Sequence, residues 1–141
     1  FDSPFIIDHL DGLPGRALLP AGGDARWRAQ QWHALAQGLC DATVARLMET
    51  RREAQKQDPA LIARHERRIA AAMDFAEARV SGGEALDGAG FGVPDIAMGV
   101  ALEYVGFRYA HDWRPGRPRL AGWLERAAQR RCLKDTRFPT G

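Results

Sequence analysis

Three residues at the start of the chain have the chemical groups needed to hold the two charged ends of an amino acid. The run Asp2-Ser3-Pro4 precedes the apolar residues of a short predicted helix. The free N–H groups of a helix N-terminus, together with a serine hydroxyl, can hold a carboxylate, and an aspartate can pair with an ammonium group. The same residue types also form an ordinary helix cap, in which the Ser3 hydroxyl accepts from backbone N–H groups. Both interpretations remain open from the residues alone.

A second polar pair lies on a long helix that the pattern predicts from Asp24 to about Gln57. Gln37 and Asp41 are separated by four residues, so they share one face of that helix. Such residues are either solvated or available to a small substrate. The sequence alone does not choose between these two roles.

Asp95 opens the most apolar helix of the chain, predicted over residues 93–105. With Gly92 as N-cap, Asp95 is the third helical residue, from which its carboxylate can accept the Gly92 N–H and face the positive end of the helix dipole. A helix that is apolar on all sides belongs in the centre of a bundle. We therefore interpret Gly92 and Asp95 as a structural cap, in preference to Asp95 as a catalytic acid or base.

The remaining reactive residues have no spacing typical of an active site. The four histidines do not form an HxxxH pattern, and no glycine-rich phosphate loop or serine nucleophile motif occurs. Cys40 and Cys132 are far apart within helical patterns, so we expect both to be buried and reduced. We predict no metal site and no complete set of catalytic residues in these 141 residues.

The elements that must position these residues are predicted to be helices. The chain has 24 alanines against 14 valines, isoleucines and threonines in total, a balance that favours an all-α fold. Further helices are predicted over 3–11, 59–80 and 119–133, with an extended tail over 134–141. Prolines and glycines between residues 13 and 23 mark a linker.

Charge and hydropathy exclude two classes of partner. The net charge is +2, and the arginines alternate with acids instead of forming a basic stripe, which argues against nucleic-acid binding. No apolar run approaches the roughly 20 residues that cross a bilayer. We expect a cytoplasmic protein that contacts neither a membrane nor nucleic acid.

The order of these features resembles the bacterial glutathione S-transferases over nearly the whole chain. The resemblance rests on the Asp-Ser helix start at residues 2–10, the linker and the long helix. It also rests on the run Phe-Gly-Val-Pro-Asp-Ile-Ala-Met-Gly-Val-Ala-Leu at 91–102 and on the segment 112–123 that leads into the closing helix. In that family the buried helix opens with a Ser/Thr-x-x-Asp capping box. Here Gly92 replaces the Ser or Thr, so half of the reciprocal box is absent.

The resemblance implies residues 1–12 as the last helix of a thioredoxin-like domain, 13–23 as linker, and 24–141 as an all-α C-terminal domain. It further implies a homodimeric enzyme, with the dimer contact on the long helix, that adds the glutathione thiolate to a small electrophile. Asp2 and Ser3 would bind the γ-glutamyl group of glutathione, and Gln37 and Asp41 would line the electrophile pocket. The family's catalytic Tyr, Ser or Cys lies in early thioredoxin-like elements that these residues do not include.

Two other functions compete with this expectation. Helical domains of this type also serve as non-catalytic interaction modules, and a chain of this composition could act as one. A helical DNA-binding regulator would need a basic recognition face, which the alternating acids argue against. Without a partner for residues 1–12, Phe5, Ile6 and Leu10 should be exposed.

Overall fold

The structure is a computed structural model that describes residues 2–15, 18–88, 90–109 and 111–138. Within these ranges the regular structure is entirely helical, which confirms the predicted all-α class. The elements in chain order are α1 (Ser3–Asp11), α2 (Gly23–Thr50), a 3₁₀ turn (Ala54–Lys56), α3 (Pro59–Arg79), α4 (Val93–Arg108), α5 (Pro118–Ala127) and α6 (Arg131–Lys134).

The bundle is organised around α2 and α4, which pack side by side. Helix α3 covers a second side of α2, while α5 and α6 pack on α4 and α5 also reaches α3. As predicted for a helix that is apolar on nearly all sides, α4 contributes much of the interior. The largest buried side chains form one cluster that includes Leu39, Ile69, Met98, Leu102, Leu120 and Trp123.

Helix α2 ends at Thr50, so the prediction that it continues to about Gln57 is wrong. The buried Glu49 carboxylate accepts hydrogen bonds from Arg52 Nη1 at 2.9 Å and from the Asp58 N–H at 2.8 Å. The Gln57 side-chain amide donates to the Thr50 carbonyl at 3.1 Å. These contacts fold residues 51–58 back onto the helix end, because they satisfy the carbonyl and N–H groups that a continued helix would have paired.

The predicted closing helix over 119–133 is interrupted, and the structure has α5 and α6 in its place. Because of this break, the Leu133 side chain points inward and is only 1% exposed. It occupies the space beside Gly99, which has no side chain. A Cβ atom at Gly99 would lie 2.7 Å from Leu133 Cδ1. The turn also leaves Cys132 on the outer side of α6, so the prediction that it is buried is wrong, whereas Cys40 is half-buried.

Helix α1 has no buried residue, unlike each of the other helices longer than one turn. Phe5 is 74% exposed, Ile6 52% and Leu10 43%, as expected for an apolar helix with no partner of its own in this chain. Among the described residues no helix is both long and apolar enough to cross a membrane. Residues 16 and 17 of the predicted linker lie outside the described ranges, and so does Phe1. Residues 139–141 of the predicted tail lie outside them as well, and residues 135–136 of that tail form a turn.

Candidate functional site

The first turn of α1 carries the candidate head-group site. Asp2 is the N-cap, and its carboxylate accepts the Ser3 N–H at 2.8 Å. Ser3 is therefore the first helical residue, one position later than the capping role that its residue type predicts. Both side chains are exposed. Among the described non-glycine residues, Asp2 is the one whose φ angle is positive, at 77°. Such a conformation is uncommon outside glycine, and it is often found at ligand sites.

Polar contacts hold α1 in place in the absence of buried side chains. Arg26 of α2 forms an ion pair with Asp8 and donates to the Pro20 carbonyl at 2.9 Å. Asp11 accepts the N–H groups of Leu18 at 2.6 Å and Leu19 at 3.0 Å. The Leu18 N–H holds the pKa of the Asp11 carboxyl below its usual value. Burial opposes this effect, and the Leu19 N–H and the Arg26 guanidinium lower the pKa further by smaller amounts.

Leu18 extends this polar chain to the buried helix α4. Its carbonyl accepts the Val93 N–H at 3.0 Å, so one residue is bonded to both α1 and α4. A Cβ atom at Gly92 would lie only 2.4 Å from the same carbonyl oxygen. The close approach of the linker backbone therefore explains why this chain has glycine at a cap position where a hydroxyl would otherwise be suitable.

Asp95 completes the start of α4. It is 2% exposed, and its carboxylate accepts the Gly92 N–H at 2.9 Å and the Leu86 N–H at 2.7 Å. Burial raises the pKa of Asp95, and these two N–H groups act in the opposite direction. Both carboxylate oxygens thus accept backbone N–H groups of the protein itself, which is the geometry of a helix cap.

A cleft of about 500 Å³ separates α1 from α2, directly after the Asp2-Ser3 turn. Pro4, Phe5 and Asp8 line its α1 side. Gln37 and Asp41 both line its α2 side, where the Gln37 amide donates to Asp41 at 3.1 Å. The structure thus brings the two predicted pocket residues to the same cavity as the start of α1.

His33 lines the same cleft and was missed by the sequence reasoning. It is half-buried, and burial lowers the pKa of its imidazole. The spacing of four residues between His33, Gln37 and Asp41 would have been sufficient to place it on this face.

A second, apolar cleft of about 270 Å³ lies on the other side of α1, between that helix and the first turn of α4. It is lined by Ile7, Leu10, Leu18, Val93 and Ile96, among others. No group of three or more His, Cys, Asp or Glu residues close enough to hold a metal ion occurs in the described part of the chain. The site therefore offers hydrogen bonds, carboxylates and apolar walls.

Similarity to known proteins in sequence and fold identifies the family. A family model described as "Glutathione S-transferase, C-terminal domain" matches residues 59–126, from α3 to α5. The structure superimposes with a TM-score of 0.89 on a glutathione transferase family member from Pseudomonas fluorescens with bound S-(propanoic acid)-glutathione, at 33% identity over 99% of this chain and 72% of that one. The chain belongs to the glutathione S-transferase family.

Two further relatives agree with this assignment. A glutathione S-transferase from Methylobacillus flagellatus with glutathione bound is 32% identical, with a TM-score of 0.90, over 97% of this chain and 69% of that one. The "Uncharacterized GST-like protein YibF" of Escherichia coli K12 is 28% identical over 99% of this chain and 69% of its own length. The glutathione S-transferase fold thus accounts for the chain almost from end to end, and the relatives are longer.

Proposed function

We propose that this glutathione S-transferase chain is the helical part of an enzyme that joins the thiolate of glutathione to a small electrophile. The observation that carries the proposal is the close structural match to two bacterial relatives that hold glutathione or a glutathione conjugate. It is supported by the open cleft beside the start of α1. In this proposal residues 1–12 are the last helix of a thioredoxin-like domain, 13–23 the linker, and 24–141 the all-α domain.

The γ-glutamyl group of glutathione would bind at the first turn of α1. Its carboxylate would accept from the Ser3 hydroxyl and N–H, and its ammonium would pair with Asp2. The Ser3 N–H is already held by the Asp2 carboxylate at 2.8 Å. Binding would therefore exchange one carboxylate for another at this N–H, which releases Asp2 to turn towards the ammonium group.

The electrophile would enter the cleft between α1 and α2, where Gln37 and Asp41 lie. The thiol of glutathione first loses its proton, because the thiolate is the nucleophile. Sulfur then forms a bond to the electrophilic carbon, and the leaving group departs with the electron pair of the broken bond. We place the group that stabilises the thiolate in the thioredoxin-like domain, outside residues 1–141.

We further propose that the protein is a cytoplasmic homodimer with its contact on α2. This helix has 28 residues, and Val44 and Met48 are exposed at 42% and 60%. The two are four residues apart, so they share one face of α2, which a second copy of the protein would cover. A monomer at micromolar concentration in analytical ultracentrifugation would exclude the dimer.

Calorimetric titration of the full-length protein with glutathione tests the enzyme proposal. We expect the wild type to bind, and Ser3→Ala to bind about ten-fold more weakly, since it loses one hydrogen bond to a charged group. Glu125→Ala is the control, because Glu125 is exposed on α5 and does not line the cleft. If the wild type does not bind glutathione, the interaction-module alternative replaces the enzyme; an unchanged affinity in Ser3→Ala would remove only Ser3 from the site.

A further inference from the structure

The α2 wall of the cleft carries a continuous row of polar side chains. Gln30, His33, Gln37 and Asp41 follow one another at intervals of three or four residues and all line the cavity. The facing α1 wall offers mostly apolar surface, with Phe5 the largest side chain. A molecule in this cleft would contact a flat apolar side and a hydrogen-bonding side at the same time.

His33 is the member of this row with unused hydrogen-bonding capacity in a half-buried position. Within the described ranges neither of its ring nitrogens has a hydrogen-bond partner, and neither is fully enclosed by the protein, so both can be reached from the cleft. Burial favours the uncharged ring, which has one N–H donor and one acceptor nitrogen. A polar group on a bound molecule would give this imidazole the partner that the protein itself does not provide.

The charges around the cleft disfavour an anion. Asp8 contributes a carboxylate from α1 and Asp41 one from α2. Asp8 is paired with Arg26, whereas Asp41 receives only the uncharged amide of Gln37. Among the described residues that line this cavity there is no lysine or arginine. A carboxylate on the electrophile would therefore be repelled by Asp41 without a cation of the lining to offset the repulsion.

We propose that this cleft selects electrophiles that are not anionic and that carry a hydrogen-bond acceptor, with His33 as the residue that contacts the acceptor and determines specificity. The inference rests on the proposed transferase function and narrows its substrate class. Asp41 contributes by excluding anions. The apolar wall opposite holds the rest of the molecule.

A matched pair of electrophiles tests the role of His33 in the full-length protein. The pair is a chlorodinitrobenzoate methyl ester and its free acid, each rate being divided by the uncatalysed rate with glutathione. We expect His33→Leu to lower kcat/KM for the ester about three- to ten-fold, mainly through KM, because one hydrogen bond to an uncharged group is lost. His33→Gln should recover most of this loss, and Gln31→Leu, an exposed position on α2 outside the cleft, should have no effect.

The same pair tests the exclusion of anions. We expect wild type to prefer the ester, and Asp41→Asn to reduce the ratio of ester to acid turnover about five-fold, since one nearby negative charge is removed. Glu125→Gln removes a negative charge from the exposed side of α5 and should leave the ratio unchanged.

Glutathione titration of the same variants separates the possible failures. If wild type does not bind glutathione, the transferase function and this inference both fail. If glutathione binds and the ester is turned over, but His33→Leu and Asp41→Asn match wild type, only the inference is overturned. Should His33→Leu not fold, His33→Ala takes its place with the same expected rise in KM, because it also removes the hydrogen-bonding ring. If neither His33→Ala nor Asp41→Asn differs from wild type, the inference is contradicted.

Discussion

Helices α1 and α4 hold their positions by opposite means. Helix α4 has eight buried residues, whereas α1 has none and depends on Arg26, Asp11 and the linker backbone. The two meet at Leu18, which bonds to Asp11 on one side and to Val93 on the other. The difference is one of packing: α4 is enclosed by the other helices, whereas Phe5, Ile6 and Leu10 of α1 stay exposed in this chain.

The largest expected effect is on the free energy of unfolding, and it tests whether the core depends more on α4 than on α1. Leu102→Ala removes a side chain that is 0% exposed in the centre of α4, and should cost about 2 to 5 kcal/mol in free energy of unfolding. Leu10→Ala on α1 makes the same chemical change at a position that is 43% exposed, and should cost less than about 0.5 kcal/mol in the 141-residue chain. Urea denaturation followed by tryptophan fluorescence measures both. Equal losses would show that α1 is as much a part of the core as α4.

An intermediate effect tests the point at which the two helices are joined. Gly92→Ser restores the hydroxyl that the family usually has at this cap, but a hydroxyl improves on glycine by only about a few tenths of a kcal/mol. The new Cβ would lie 2.4 Å from the Leu18 carbonyl oxygen, a backbone atom that cannot move alone, and such overpacking costs about 1 to 3 kcal/mol. We therefore expect a net loss of stability.

Gly22→Ser is the matched control for this substitution. Gly22 is the N-cap of α2, its backbone is extended, and a Cβ there would meet nothing within 4 Å. The same change should be neutral or slightly stabilising in thermal denaturation. A stabilising Gly92→Ser would disprove the close approach of the linker.

The sequence was sufficient for features that depend on neighbouring residues. The predicted start of α3 at residue 59 is confirmed, and in the structure the Asp58 carboxylate accepts the N–H groups of Ala60 at 2.8 Å and Leu61 at 3.2 Å. The centre of α4 follows from its unbroken apolar run. In both cases the physical cause lies within one or two helical turns, where spacing alone is informative.

What the sequence did not show depends on residues that are distant along the chain. Helix α5 has no capping side chain of its own; the Glu77 carboxylate of α3 accepts its N–H groups at Arg119 and Leu120, at 3.2 and 2.7 Å. Arg119 in turn donates to carbonyls at the end of α3, including that of Glu77 at 3.2 Å. Such reciprocal caps across more than 40 residues leave no local pattern, and the same holds for the contacts that end α2.

The residues of the candidate site divide in the same way, into those that helical spacing predicts and those that depend on packing. Gln37 and Asp41 were placed together by helical spacing, and the structure puts both on one cleft. His33 is on the same face but was considered only as a metal ligand, for which its spacing is wrong. Its half-buried place in the cleft between α1 and α2 depends on how these helices pack, which residue spacing does not give.

The smallest expected effect compares the two carboxyls that connect α1 and α4 to the backbone. The folded-state pKa of Asp11 is lowered, chiefly by the Leu18 N–H, so its contribution to stability is present above the unfolded-state value of about 3.9 and is lost as the pH falls through the lower folded-state value. The folded-state pKa of Asp95 is raised, chiefly by burial, so the folded protein binds the Asp95 proton more tightly than the unfolded chain does. The contribution of Asp95 to stability therefore grows as the pH falls through the raised folded-state pKa towards the unfolded-state pKa.

Thermal denaturation of wild type, Asp11→Asn and Asp95→Asn across acidic pH measures the two contributions. On acidification, the difference in stability between wild type and Asp11→Asn should shrink. The stability of wild type relative to Asp95→Asn should increase. Parallel curves for the two variants would mean that the polar anchor of α1 and the buried cap of α4 are electrostatically equivalent, which the opposite causes of their pKa shifts argue against.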